Sequence, residues 1–232
     1  MKNALITGAS RGLGLALGRQ LAQDGWGLII DARGVKSLEQ VQLELSGSTK
    51  VIAIPGDITT KSHRKKLAAA ASQLGGIDLL VNNASTLGPS PQPALLDYPL
   101  DILEKVYLTN VITPLAVIQT LRAALRPEAC IINVTSDAGV EAYAGWGGYG
   151  SSKAALEHLS AILAQEIPAQ RIYWVDPGDM RTQMLQEAFP DEDISDRPLP
   201  EDSVPGLMAL IEGTKPSGRY RAHELVGREA DS

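Results

Sequence analysis

The chain has 232 residues, enough to bury the two faces of one α/β sheet but short for two such domains. Lysine and arginine together number 21, and aspartate and glutamate 27, giving a net charge of −6. This acidic balance argues against a nucleic-acid-binding surface or a basic membrane patch, so we expect a small-molecule partner.

The single cysteine, Cys130, excludes an intramolecular disulfide, and its apolar neighbours predict a buried strand position. A reducing cytoplasmic location fits this usage. No apolar run approaches the ~20 residues that span a bilayer, and a strand pattern starts directly at the N-terminus, so we expect neither a membrane segment nor a signal peptide. The three histidines are scattered and predict no metal site.

Short apolar runs alternate with longer amphipathic segments along the chain. The runs are typical of strands buried on both faces and cover residues 4–7, 27–30, 51–55, 78–82, 130–135 and 172–176. The amphipathic segments predict helices over residues 13–24, 37–45, 60–74, 100–125 and 150–167. This order predicts one doubly wound α/β domain of the Rossmann type over residues 1–232, with a mostly parallel sheet and helices on both faces. Proline-rich residues 86–99 and 189–200 are predicted loops.

A glycine-rich turn follows the first predicted strand and opens the first predicted helix. Its sequence is Thr7-Gly8-Ala9-Ser10-Arg11-Gly12-Leu13-Gly14. Glycines allow a sharp turn and a close approach to a pyrophosphate, and the free amides of a helix N-terminus attract its negative charge. The same residue types also serve in ordinary strand-to-helix connections, so both interpretations stay open for this turn alone.

Tyr149 and Lys153 form a YxxxK pair near the start of a predicted helix, where both side chains project from one face. A free tyrosine has a pKa of ~10, and a neighbouring ammonium would lower that pKa by stabilising the phenolate. The alternative is a surface tyrosine and lysine one helical turn apart. A nearby tyrosine, Tyr143, has no lysine four residues later and is interpreted as a wall residue of the pocket.

Ser136 directly follows the predicted strand 130–135 and lies 13 residues before Tyr149. Doubly wound sheets bind ligands beyond the carboxyl ends of their strands, so the Ser136 hydroxyl is positioned to hold a substrate carbonyl. A plain strand-ending turn would explain the same serine, and Thr135 is a neighbouring candidate for the role.

The chain resembles the short-chain dehydrogenase/reductase family over nearly its whole length. The motifs that carry the resemblance are, in chain order, the TGxxxGxG turn, Asn82-Asn83-Ala84, Asn110, Ser136, Tyr149, Lys153 and Pro177-Gly178. The resemblance implies that Tyr149 is the general acid/base and that Ser136 orients the carbonyl. Lys153 would lower the tyrosine pKa and bind the nicotinamide ribose, and Asn110 would complete a proton relay. The implied cofactor-binding residues are Gly8, Ser10, Arg11, Gly12, Leu13, Gly14, Ala32, Arg33, Asp57, Ile58, Asn83, Ala84, Tyr149, Lys153, Pro177, Gly178 and Thr182.

Some of these residues have equally local explanations. Asn110 is explained equally well as an ordinary polar residue within a helix. Asp57 is explained as a loop acid that caps the next helix, and Thr182 is explained as a residue at a helix start. The chain departs from the family pattern where Ser85 replaces the glycine of an AsnAsnAlaGly motif, and where the span from Lys153 to Pro177 is compressed.

NADP(H) is the predicted cofactor, in preference to NAD(H). In NAD-dependent relatives an acid at the end of the second strand takes the ribose hydroxyls, whereas a 2′-phosphate needs a cation there. The family offset of 18 residues past Gly14 falls on Ala32, and alternation turns Asp31 to the opposite side. Arg33 and Arg11 would bind the phosphate. Both are otherwise solvated loop arginines, and a shift of one residue would restore Asp31 as an NAD ligand.

The predicted function is an oxidoreductase that moves a hydride between nicotinamide and a carbonyl or alcohol. The alternative within enzymes is a reductase of β-ketoacyl thioesters. Such an enzyme needs a basic face on which its acidic carrier binds, whereas residues 187–196 are rich in acids. A non-catalytic NADP(H) sensor is the alternative outside enzymes. Residues 179–200 are predicted to form a mobile lid, with a static surface loop as the alternative. By resemblance we expect a homodimer or homotetramer with contacts through residues 100–125 and 150–167.

Overall fold

Seven parallel strands form a single sheet in the computed structural model, which describes residues 1–226. Their order across the sheet is β3-β2-β1-β4-β5-β6-β7. The strands are β1 (Asn3–Ile6), β2 (Gly27–Ala32), β3 (Val51–Pro55), β4 (Ile77–Asn82), β5 (Leu125–Val134), β6 (Arg171–Asp176) and β7 (Gly218–Arg221). The chain order reverses next to β1, as in doubly wound sheets, and confirms the predicted architecture.

Helices join these strands and cover both faces of the sheet. They are α1 (Gly12–Gln23), α2 (Val35–Leu45), α3 (Lys61–Gln73), α4 (Leu100–Tyr107), α5 (Thr113–Leu121), α6 (Gly147–Glu166), α7 (Gln183–Ala188) and α8 (Val204–Glu212). No helix within residues 1–226 is both long and apolar enough to cross a membrane.

Two apolar cores lie on opposite faces of the sheet, and alternation along the strands assigns residues to each. In β1 and β2, Ile6 and Ile30 belong to the core that contains residues of α1 and α8. Leu5 and Ile29 belong to the other core, against residues of α3 and α5. Burial on both faces explains why these strands are continuous apolar runs.

The predicted helix over residues 100–125 is wrong in two respects. It is interrupted by a π-helical turn, Leu108–Ile112, and its last helical residue is Leu121. Pro114 cannot donate a hydrogen bond to the carbonyl of Asn110, and the wider turn accommodates its ring. Residues from Leu125 onward already belong to β5, where Leu125 pairs with Ile77.

The C-terminal elements α8 and β7 were not predicted. β7 has the sequence Gly-Arg-Tyr-Arg and lacks the apolar alternation by which strands are recognised. It pairs with β6 at the edge of the sheet, so tertiary contacts and not local propensity determine its conformation.

Candidate functional site

The glycine turn between β1 and α1 has the geometry of an anion-binding loop. Gly8 and Gly12 have φ angles of +67° and +55°, which side-chain-bearing residues rarely adopt. A Cβ at Gly14 would come within 2.7 Å of the Gly8 carbonyl oxygen. No side chain caps α1, and its first turn contains no acid. Free amides, a helix dipole and this small-residue turn therefore fit a dinucleotide pyrophosphate.

Other residues of the turn differ in what they can offer a ligand. Leu13 is buried in the apolar core, so its contribution would be its backbone, and Ser10 is half-buried. The Arg11 guanidinium is already partnered, because it donates a hydrogen bond to Gln183 Oε1 in α7. This contact joins the glycine turn to the predicted lid.

Asn83 and Ala84 brace the glycine turn from the end of β4. The Asn83 side-chain amide donates to the carbonyls of Thr7 and Gly8 at 2.9 and 3.1 Å. The backbone amides of Asn83 and Ala84 both donate to Thr7 Oγ1 at 3.0 Å. The Asn83 side chain thus stabilises the loop that would receive the pyrophosphate.

The residues predicted at the adenosine end lie at the ends of β2 and β3. Ala32 is the last residue of β2, Arg33 follows it in an exposed position, and Ile58 is buried in the core. Asp57 Oδ1 accepts hydrogen bonds from the Thr59 amide and hydroxyl at 2.9 and 2.8 Å. These bonds stabilise the loop before α3, but no side chain caps that helix, so the alternative in which Asp57 caps it is wrong.

The Asp57 carboxyl is also charged more readily than usual. Burial acts to raise its pKa, but the Thr59 hydrogen bonds and the electrostatic influence of Arg33 and His63 outweigh burial and lower it. Arg33 is therefore close enough to influence the end of β3 electrostatically.

Tyr149 and Lys153 lie in the first two turns of α6, with 8% and 2% of their surfaces exposed. The Lys153 Nζ is 5.3 Å from the centre of the Tyr149 ring and donates to the Val134 carbonyl at 2.8 Å. Burial lowers the pKa of Lys153 to about 8, against the raising influence of Glu157.

Ser136 follows β5 and caps a short 3₁₀ turn, Asp137–Gly139. Its hydroxyl donates to Asp137 Oδ1 at 2.8 Å and accepts from the Ala138 amide at 3.2 Å. Three of the four predicted catalytic residues therefore come from the end of β5 and the start of α6, and they meet at the carboxyl edge of the sheet.

The Tyr149 pKa differs from the expectation that Lys153 would lower it. It is raised, first by burial and then by the negative charges of Asp176, Asp137 and Asp179, while the Ser136 side chain opposes the change. In this form of the site the Lys153 ammonium is bound to a backbone carbonyl. Tyr149 consequently holds its proton at neutral pH.

Asn110 lies in the π-helical turn and is 1% exposed. Its Oδ1 accepts from the Ser85 hydroxyl and the Thr86 amide at 3.1 and 2.9 Å, and its Nδ2 donates to the Thr86 carbonyl and Ser152 Oγ at 2.9 and 3.0 Å. All four hydrogen-bonding positions of this amide are used. Ser85, which departs from the family motif, is thus a partner of Asn110.

Three of the predicted cofactor-binding residues follow β6 in the chain: Pro177, Gly178 and Thr182. Gly178 has a φ of +80°, and its amide donates to Asp176 Oδ1 at 2.9 Å, while the Pro177 carbonyl accepts from Ser203 at 2.8 Å. Thr182 caps α7 through the Leu185 amide at 3.2 Å. Its methyl group would be 3.5 Å from a Cβ at Gly12, so this helix-start residue also borders the turn.

An aromatic wall, Tyr143, Trp146 and Phe189, borders Tyr149. The Trp146 ring centre lies 5.9 Å from that of Tyr149, 5.7 Å from Phe189 and 6.5 Å from Tyr143. The Tyr143 hydroxyl lies 3.0 and 3.1 Å from carboxylate oxygens of Asp137 and Glu141, which share its single proton as acceptors. The wall presents apolar surface with carboxylates at its margin.

Sequence reasoning missed an ionic network beneath Ser136. Arg219 Nε lies 3.0 and 3.1 Å from the Glu157 carboxylate oxygens, and its Nη2 donates to the Ser136 carbonyl at 3.2 Å. Thr135, the competitor for the role of Ser136, instead donates to Glu157 at 2.8 Å. No local signal marks Arg219, because it acts across the sheet from the unpredicted strand β7.

Comparisons with known proteins agree with this arrangement. A model of the short chain dehydrogenase family matches residues 2–193. A rhamnolipid-biosynthesis 3-oxoacyl-[acyl-carrier-protein] reductase from Pseudomonas aeruginosa is 37% identical over 202 residues, 81% of this chain and 76% of that protein. The structure of a short chain dehydrogenase from Pseudomonas syringae has a TM-score of 0.89 at 30% identity and covers 95% of this chain and 94% of its own.

A short chain dehydrogenase from Shigella flexneri, solved with NADP, has a TM-score of 0.87 at 26% identity and covers 96% of this chain and 97% of its own. These matches define the class of the protein as an oxidoreductase that acts on C=O or CH–OH groups. Within that class, the chain belongs to the short-chain dehydrogenase/reductase family.

Proposed function

We propose that the protein is an NADP(H)-dependent carbonyl reductase in which Tyr149 is the proton donor. The observation that carries the proposal is the placement of buried Tyr149 and Lys153 with half-buried Ser136 at the carboxyl edge of a sheet whose first strand leads into a glycine turn suited to a pyrophosphate. When bound, NADPH supplies a hydride that adds to the carbonyl carbon. Tyr149 gives its phenolic proton to the carbonyl oxygen, which completes the alcohol.

Tyr149 carries its proton at neutral pH, as a general acid must when the reaction begins. Ser136 donates a hydrogen bond to the substrate oxygen and so orients the carbonyl. Its present acceptor, Asp137, lies 2.8 Å away and is exchanged for the substrate. Lys153 binds the nicotinamide ribose, and its ammonium stabilises the phenolate left after proton transfer.

Asn110 would act in the proton relay through its backbone. Its side chain is fully bonded, whereas Pro114 offers no N–H to the Asn110 carbonyl in a regular helical bond. The π-helical turn around it supports a functional role, since such turns often mark sites.

The preference for NADP(H) is supported by the exposed Arg33 after β2 and by the NADP complex of the Shigella flexneri relative. Arg33 is the residue proposed to bind the 2′-phosphate. Arg11 would join it only by releasing Gln183.

Residues 179–200 are proposed as the lid. Met184 and Ala188 pack against the cluster of Leu87, Ala138 and Tyr149, and Phe189 contacts Trp146. The lid thus contacts the proton donor. We expect NADPH with substrate to slow cleavage of this segment by a protease, and equal cleavage with and without ligands would argue for a static loop.

The alternative substrate class is a β-ketoacyl thioester, which the Pseudomonas aeruginosa relative favours. Against it, exposed acids at residues 191–193 and 196 give the lid a negative surface, which would repel an acidic carrier. We rank neutral carbonyls first.

The test is NADPH consumption with a panel of neutral aldehydes and ketones, beside a β-ketoacyl thioester on a small thiol and on its acidic carrier protein. Turnover of neutral carbonyls is expected. Turnover of the carrier-bound thioester alone would favour the alternative. NADPH binding without turnover of any carbonyl would indicate the sensor function.

A further inference from the structure

A buried Asp31–His63 pair lies behind the predicted adenosine end, outside the catalytic group. The His63 Nε2 is 2.7 Å from Asp31 Oδ2, and the two side chains are 4% and 2% exposed. An ionised carboxylate only accepts hydrogen bonds, so the histidine nitrogen is the donor. The two residues are 32 positions apart, at the end of β2 and in the first turn of α3.

The other oxygen of the Asp31 carboxylate contacts the glycine turn. The Gly8 amide donates to Oδ1 at 3.1 Å, and the Ala9 amide donates to the Asp31 carbonyl at 2.9 Å. His63 itself is held against Gly56, where any Cβ would collide with the imidazole ring. Asp31 therefore has partners on both oxygens and is turned away from the solvent.

Asp31 directly precedes Ala32 and Arg33, the residues predicted at the adenosine end of the dinucleotide. Arg33 follows two residues later, and both Arg33 and His63 influence Asp57 electrostatically. A carboxylate that reached the ribose from the end of β2 would accept hydrogen bonds from its hydroxyls but repel a 2′-phosphate. Asp31 precedes Ala32 by one residue, and its partners hold its carboxylate inward.

We propose that His63 is a specificity-determining positioning residue: strand alternation turns Asp31 away from the side of Ala32, and His63 holds its carboxylate there against the glycine turn, which keeps the negative charge away from the 2′-phosphate site and maintains the preference for NADPH over NADH. The inference rests on the proposed function, since it needs a dinucleotide at this turn. Removing His63 leaves Asp31 Oδ2 without its hydrogen-bond partner in a buried position, and moving towards water relieves that cost.

The experiment measures dissociation constants of NADPH and NADH by fluorescence titration without substrate, so no turnover is involved. For His63→Ala we expect NADPH affinity to fall roughly tenfold and NADH affinity to stay constant or rise. The NADPH defect should shrink at high salt. His63→Gln keeps an N–H donor at a similar reach and should stay near wild type.

The double variant His63→Ala with Asp31→Asn decides the mechanism. It removes the released charge, so NADPH affinity should recover although the histidine is still missing. Equal losses for both dinucleotides, or no recovery in the double variant, would overturn the proposal and leave His63 a structural residue. If His63→Ala does not fold, His63→Asn, whose amide is shorter, takes its place. A wild-type protein that binds neither dinucleotide would instead refute the proposed function.

Discussion

At the scale of single residues, the phenolic proton of Tyr149 is the group on which the proposed chemistry depends. Tyr149→Phe removes this proton and leaves the ring, its contact with Trp146 and the nearby Lys153 in place. We expect turnover to fall by ~10²- to 10⁴-fold, with NADPH affinity nearly unchanged. Steady-state kinetics and a binding titration measure the two effects.

Tyr143→Phe is the matched control for this substitution. Tyr143 is 43% exposed and bonds Asp137 and Glu141, so losing its hydroxyl should leave most turnover intact. Wild-type rates in Tyr149→Phe would remove this tyrosine from the mechanism.

Deprotonation of Lys153 is expected to determine how kcat/KM for carbonyl reduction falls at alkaline pH. Burial lowers the pKa of Lys153 to about 8, so the ammonium is present below that pH and is lost above it. Because the protonated lysine stabilises the developing phenolate, we expect kcat/KM for carbonyl reduction to fall as pH rises through about 8. This profile reports groups of the free enzyme. A flat profile from pH 7 to 10 would contradict the assignment.

At the scale of elements, the short polar strand β7 supports the end of β5 through Arg219. We expect Arg219→Ala to lower kcat and to reduce the free energy of unfolding by about 2 kcal/mol, because Glu157 loses its cation and the Ser136 carbonyl loses a donor. Denaturant titration and steady-state kinetics measure both. A partial rescue by Arg219→Lys would support the role of the charge.

Arg221, on the same strand, is a suitable control. Its side chain is 37% exposed, and its ion-pair distances are 3.7 to 3.9 Å, so Arg221→Ala should change stability little. If the two alanine variants behave alike, the specific support of Ser136 by Arg219 is disproved.

The π-helical turn shows how one element can be predicted in outline and missed in detail. Periodicity over residues 100–125 indicates a helix, and helical residues do extend from Leu100 to Leu121. Periodicity does not reveal the wider turn at Leu108–Ile112, in which the Asn110 amide bonds Thr86 and Ser152. Those partners lie far away in the sequence, so local pattern carries no trace of them.

At the scale of the whole molecule, we expect a homo-oligomer. Four apolar side chains, Leu100, Leu108, Ile112 and Ile162, are 72%, 40%, 55% and 41% exposed on the segments predicted to form the contact. A second copy would remove this surface from water. Light scattering at micromolar concentration should give the mass of a dimer or tetramer, and Ile112→Glu should lower it.

Leu43→Glu provides the control, since Leu43 is 79% exposed on α2, away from the predicted contact segments. It should leave the assembly unchanged. A monomeric wild-type mass would contradict the expectation directly.

The amino-acid sequence by itself determined the α/β order, the glycine turn and the spacing of Ser136, Tyr149 and Lys153. These features are local: glycine conformation, strand alternation and helical spacing act over a few residues. Only the tertiary structure decided that Asp31 binds His63, that Arg219 supports Ser136 from 83 positions away, and that burial raises the Tyr149 pKa. The physical reason is that hydrogen-bond partners and desolvation depend on which segments the fold brings together, and no periodicity along the chain encodes that.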